Sequence, residues 1–101
     1  MTLKVTTLPE EHKVIIQIDG RFDFNIHREF REAYRQVQSR GMEYVVDLGG
    51  TEYMDSSALG MLLLLREHAG GHRARIRVIN CGSEIRKILT ISNFDRLLEV
   101  A

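Results

Sequence analysis

The chain reads as an α/β protein with a mixed central sheet and packed helices, and three observations predict it. Two short apolar runs near the start alternate as strands do. After them, segments of helical period and buried strand-like runs take turns. Glycine, proline and polar clusters punctuate the boundaries between them. The expected order is β-β-α-β-α-β-α with a short C-terminal element, all in one domain over residues 1–101.

Leu3-Lys4-Val5-Thr6-Thr7-Leu8 has the pattern of an edge strand, stopped by Pro9 and the charged Glu10-Glu11-His12. Val14-Ile15-Ile16-Gln17-Ile18 is a second strand ending at Asp19-Gly20, close enough to the first to form a hairpin. From residue 25 to 40 the period changes. Ile26, Phe30, Ala33, Tyr34 and Val37 fall on one helical stripe, with Asn25 as cap and Gly41 as stop. That stripe is expected to lie on the sheet, with Arg28, Glu29 and their charged neighbours in solvent.

Tyr44-Val45-Val46-Asp47-Leu48 reads as a short buried strand ended by Gly49-Gly50. Asp55 to His68 is a helix whose run Leu59–Leu65 is apolar apart from Gly60. Gly70-Gly71 releases the chain into a strand over 74–79, and Ser83 caps a helix that turns Ile85, Ile88, Leu89 and Ile91 inward. Phe94, Leu97, Leu98 and Val100 close the chain with an apolar element whose type the pattern leaves open. Alternating strands and helices imply a mostly parallel centre with right-handed crossovers.

Composition narrows the function classes. Lys plus Arg and Asp plus Glu both number 14, so the formal net charge is zero and no global field draws nucleic acid or anionic lipid. The alternating basic stretch His72 to Arg77 fits the wet face of a strand. The longest apolar run, Met61–Leu65, is far too short for a membrane span, and no secretory signal pattern opens the chain. Cys81 stands alone, which fits a packed thiol in a cytoplasmic protein.

Independent catalysis finds little support. Ser56 and Ser57 lack a Gly-x-Ser-x-Gly elbow and an oriented base, since Asp55 cannot stand in for an imidazole by adjacency. His12 and His27 have no sequence tie to either serine. His68 and His72 stand four apart, but the glycine pair between them breaks the helix and no further ligand follows. Gly49-Gly50 suggests at most a generic anion nest, without either phosphate-loop glycine pattern. No metal or cofactor is expected.

Ser56 and Ser57 make better sense as a place that is modified. They lie at a helix start beside the C-terminal end of a strand, where unpaired N–H groups and the helix dipole suit a phosphate. Phosphorylation there would add roughly 1.5 to 2 negative charges. Asp55 and Asp23 would oppose that charge if they lie close. Simple helix capping by Asp55 or Ser56 is the other reading, and the two are compatible.

Val45-Val46-Asp47-Leu48, Tyr53-Met54-Asp55-Ser56-Ser57-Ala58-Leu59-Gly60 and Gly20-Arg21-Phe22-Asp23 together resemble the STAS domains of bacterial anti-sigma factor antagonists. Within that family the chain is most similar to the small antagonists that control motility and biofilm formation in pseudomonads and related gamma-proteobacteria. The resemblance implies a non-catalytic, phosphorylation-regulated binding module. A histidine-kinase-like serine kinase, often itself the anti-sigma factor, would modify Ser57, and a PP2C-type phosphatase would restore it. The unmodified form would bind the partner through Asp23, Asp55, Ser56 and Ser57, and the modified form would let go. Neither nucleic-acid binding nor membrane insertion is implied. The rival within the family is a constitutive scaffold or transporter-associated subunit with no phosphorylation cycle.

Two departures from the family pattern carry expectations. Ala58 stands where glycine is common and should firm the helix start. The sequence ends soon after Val100, where many relatives carry another helix, which would open one side of the sheet or reshape the partner face.

Overall fold

The computed structural model describes residues 3–37 and 41–101. Five strands form one sheet in the order β1-β2-β3-β4-β5: Leu3–Leu8, Lys13–Phe22, Glu43–Met54, Arg75–Ile79 and Glu99–Val100. β1 runs antiparallel to β2, and each later neighbour is parallel, so the sheet is mixed as expected. The helices α1 (His27–Arg35), α2 (Ser56–His68) and α3 (Ser83–Ile91) fill the three crossovers. Because β2 to β5 are added in sequence order and in one direction, crossovers of one hand lay all three helices on the same face.

The period of two along the strands selects that face. Val14, Ile16, Ile18, Tyr44, Val46, Leu48, Ile76 and Val78 form one core with Phe30 and Tyr34 of α1, Leu62 and Leu65 of α2, and Ile85 and Leu89 of α3. Alternate residues turn to the other face. There Lys13 pairs with Glu43 at 4.0 Å and Arg77 with Glu99 at 3.4 Å. Val45 is buried without joining the main core. Only the second half of the basic stretch lies along a strand: His72 and Arg73 fall in the 3-10 turn Gly71–Arg73, while Arg75 and Arg77 are on β4.

Several boundaries differ from the sequence reading, each for a physical reason. β2 and β3 do not stop at Asp19-Gly20 and Gly49-Gly50 but continue to Phe22 and Met54. Two register shifts, after Gln17 and after Gly20, let the strands absorb these turn-prone residues as bulges. Gly20 adopts φ 84°, a conformation that glycine takes without a Cβ clash. The Thr51 hydroxyl donates to the Ile18 carbonyl at 2.7 Å and ties the extended strands together. The glycine pair therefore forms no anion nest: Gly49 N–H is taken by Asp47 at 2.9 Å.

The first helix also begins differently. A 3-10 turn at Phe24–Ile26 precedes α1, and its cap is Asp23 rather than Asn25, whose N–H the Asp23 carboxylate accepts at 3.0 Å. Helix α1 ends at Arg35, and its expected continuation toward Gly41 falls partly outside the described residues. Gly82, not Ser83, occupies the cap of α3, where its carbonyl accepts the Arg86 N–H at 2.9 Å, and Ile91, the last residue of the helix, is 72% exposed rather than turned inward. The open C-terminal element resolves into a 3-10 turn at Phe94–Arg96 followed by β5, which pairs with β4.

Candidate functional site

The extension of β2 and β3 builds the site. Arg21 pairs with Tyr53 and Phe22 with Met54 in parallel register, so Asp23 and Asp55 leave two neighbouring strands at the same level. Residues two apart on a strand share a face, which sets Arg21 with Asp23 and Tyr53 with Asp55. The four side chains are joined. Arg21 Nε donates to Asp23 Oδ2 at 3.1 Å, and its guanidinium carbon lies 3.8 Å from the centre of the Tyr53 ring. The Tyr53 hydroxyl in turn reaches Asp55 Oδ2 at 3.4 Å.

Asp55 is the cap of α2. Its extended backbone leads into the helix, and Oδ1 accepts the N–H groups of Ser57 and Ala58 at 3.0 and 3.3 Å. The same oxygen accepts the Ser57 hydroxyl at 2.6 Å. That hydroxyl is the foremost cause holding the Asp55 carboxyl below its ordinary value of 3.8, with the Ala58, Ser57 and Tyr53 hydrogen bonds adding to it against some desolvation. Of the two capping candidates raised by the sequence, Asp55 is the cap and Ser56 the first helical residue.

The two serines differ. Ser57 is partly buried and spends its hydroxyl hydrogen on Asp55. Ser56 is exposed, and its hydroxyl makes no hydrogen bond among the described residues. Ala58 is fully buried in the core, so its methyl packs as well as favouring the helix. Asp23 is only 7% exposed, which makes it far more than a loop charge. Beside it Phe24 stands 66% exposed, stacked on His27 with ring centres 4.7 Å apart.

Sequence reasoning named Asp23, Asp55, Ser56 and Ser57, and the strand register gathers all four at the C-terminal ends of β2 and β3. It missed Arg21, Tyr53 and Phe24. The i, i+2 spacing of Arg21 with Asp23 and of Tyr53 with Asp55 was the available signal, hidden by reading both segments as loops.

The histidines do not serve the serines. His12 ends the 3-10 turn before β2, at the opposite end of that strand from Phe22. His27 is engaged with Phe24. His68 lies 3.1 Å from the Val37 carbonyl and packs against the Tyr34 and Tyr44 rings. Among the described residues no group of three or more His, Cys, Asp or Glu could hold a metal ion, and no helix is long and apolar enough to cross a membrane. Cys81 is partly buried against the core.

Comparison with known proteins places this geometry. The family described as "Mlab, STAS domain" matches residues 6–99. A STAS-domain containing protein of Pseudomonas aeruginosa (strain UCBPP-PA14) is 52% identical over 101 residues, covering 98% of this chain and 100% of that protein. An anti-sigma factor antagonist from Mycobacterium paratuberculosis shares the fold with a TM-score of 0.80 at 19% identity, over 98% of this chain and 83% of that one. The antagonist SpoIIAA in its unphosphorylated form gives 0.70 at 16% identity, over 93% and 96% of the two chains. The phosphorylated form of the Bacillus cell fate determinant SpoIIAA gives 0.73 at 18%, over 98% and 90%. With the family matched along nearly its whole length and a relative 52% identical, the chain belongs to the STAS domain family.

Proposed function

We propose that the protein is a phosphorylation-regulated anti-sigma factor antagonist: a non-catalytic module that binds an anti-sigma factor or serine kinase when its serine pair is unmodified and releases it when phosphate is added. The observation that carries this reading is the serine pair in the first turn of α2, gathered with Asp55 and Asp23 at the C-terminal ends of β2 and β3. A docking face that fits a small neutral hydroxyl rejects a group carrying roughly 1.5 to 2 negative charges, the more so beside two carboxylates. SpoIIAA, which shares the fold, is known in both an unphosphorylated and a phosphorylated form.

The family resemblance points to Ser57 as the acceptor. Its hydroxyl already donates to the Asp55 carboxylate at 2.6 Å, a contact suited to drawing off its proton during phosphoryl transfer. Ser56, exposed and without a hydrogen bond among the described residues, lies beside it on the proposed docking face. In this reading Ser57 takes the phosphate, a PP2C-type phosphatase removes it, and the cycle governs transcription for motility and biofilm formation in the cytoplasm.

The test is affinity for the anti-sigma partner recovered from the native cells, measured with unmodified protein and with protein carrying phosphoserine at position 56 or 57. At least a tenfold loss on modification is expected. Equal affinity of modified and unmodified protein contradicts the reading and favours a constitutive scaffold or transporter-associated subunit.

A further inference from the structure

We infer that Arg21 is the residue that answers the phosphate: when the serine pair is modified, its guanidinium leaves Asp23 and pairs with the phosphoryl oxygens. The inference rests on the modification proposed above and adds how the change travels from α2 to the neighbouring loop.

Position comes first. Arg21 lies opposite Tyr53 in the β2–β3 register, and its guanidinium already sits over that ring. Tyr53 contacts Asp55, and Asp55 holds Ser57, so two side chains separate the guanidinium from the serine pair. The Arg21 side chain is 63% exposed.

Valence comes second. Arg21 meets Asp23 through Nε, and its two terminal nitrogens make no hydrogen bond among the described residues. A guanidinium with free N–H groups matches the geometry of a phosphate, which takes two parallel hydrogen bonds where Asp23 now takes one. Charge acts in the same direction. The linked residues Asp23, Arg21, Tyr53, Asp55 and Ser57 hold two carboxylates and one cation. A phosphate dianion attracts that cation more strongly than a carboxylate does at equal distance.

Exchange of the cation also changes what it leaves behind. Asp23 is nearly buried, and loss of its cation leaves an unpaired carboxylate at the start of the turn that carries exposed Phe24. Phosphate on α2 thereby alters a second part of the proposed docking face, in a different segment of the chain.

Phosphoserine installed at position 56 or 57 during translation tests this without any kinase. Phosphorus NMR then follows the second ionisation of the phosphate in wild type, Arg21→Gln and Arg21→Lys, with the melting temperature of each confirming the fold. The expected result, in at least one of the two phosphoproteins, is an ionisation about half a pH unit lower in wild type than in Arg21→Gln. The difference should shrink in about 1 M salt, and Arg21→Lys should fall between. The Arg21 Nε signal should also move on phosphorylation. Superimposable titrations of wild type and Arg21→Gln at both positions overturn the inference. A protein never phosphorylated in its own cells would sink the proposed function and leave this result standing.

Discussion

The hydroxyl of Ser57 donates to Oδ1 of Asp55 at 2.6 Å, and that one oxygen also accepts the backbone N–H groups of Ser57 and Ala58. A single carboxylate thus starts α2, fixes one serine and leaves the other free. The arrangement makes the two adjacent hydroxyls chemically unequal, which their sequence does not.

Acid should weaken this helix start. The Asp55 carboxyl ionises below its ordinary value of 3.8 in the folded protein, chiefly through the Ser57 hydroxyl. A depressed folded value contributes stability above the ordinary one, and that contribution is lost as pH falls through the folded value. Asp55→Asn keeps an acceptor but no charge. Its melting temperature should lie below that of wild type near neutral pH, and the gap should narrow as pH falls from neutral through and below the ordinary value of 3.8. A gap that stays constant over that range removes Asp55 as the titrating cap.

Asp23 supplies a second test. Its burial, its bond to Asn25 N–H and its pairing with Arg21 make it part of the fold as well as of the proposed docking face. Asp23→Ala should cost about 1 kcal/mol in denaturant unfolding, the ordinary loss for a capping residue. Asp23→Asn should recover most of that stability while still weakening partner binding. If both variants unfold like wild type, the cap carries no weight; if the Asp23→Asn variant binds normally, the charge is not used in docking.

Substitution of each serine by alanine should separate their roles. Ser57→Ala removes the shortest bond at the helix start and should lower the melting temperature measurably. Ser56→Ala touches no hydrogen bond among the described residues and should unfold within about 0.5 kcal/mol of wild type. The reverse order would mean that Ser56, not Ser57, supports the helix.

Much of this was readable in the sequence, and the failures share one cause. The alternation in Val14–Ile18 and Tyr44–Leu48 fixes the core face, and the polar-to-apolar step at Asp55–Leu59 marks the helix start. Gly20 and Gly49-Gly50 carry the composition of turns, yet pairing between β2 and β3 outweighs that local preference and carries both strands four to six residues further. Tertiary hydrogen bonds such as Thr51 to Ile18 leave no local trace. Arg21 and Tyr53 were missed for that reason, since their role depends on a register between segments about thirty residues apart. Nor does sequence reveal which of two neighbouring serines turns inward.

The core makes its own prediction. Leu62 of α2 is fully buried, whereas Leu64, two residues on, is 52% exposed. Leu62→Ala should cost about 3 kcal/mol in denaturant unfolding. Leu64→Ala should cost no more than about 0.5 kcal/mol. Similar losses from both would mean that α2 presents a different face to the sheet.

The most direct test of the central claim is peptide mass spectrometry on the protein isolated from its native cells, with phosphatases inhibited and growth conditions varied. A phosphate confined to the Ser56-Ser57 pair, mapped to Ser57 and rising and falling with conditions, is the predicted result. Phosphate absent from both serines under every condition would contradict a phosphorylation switch and leave Asp55-Ser56-Ser57 as a helix start alone.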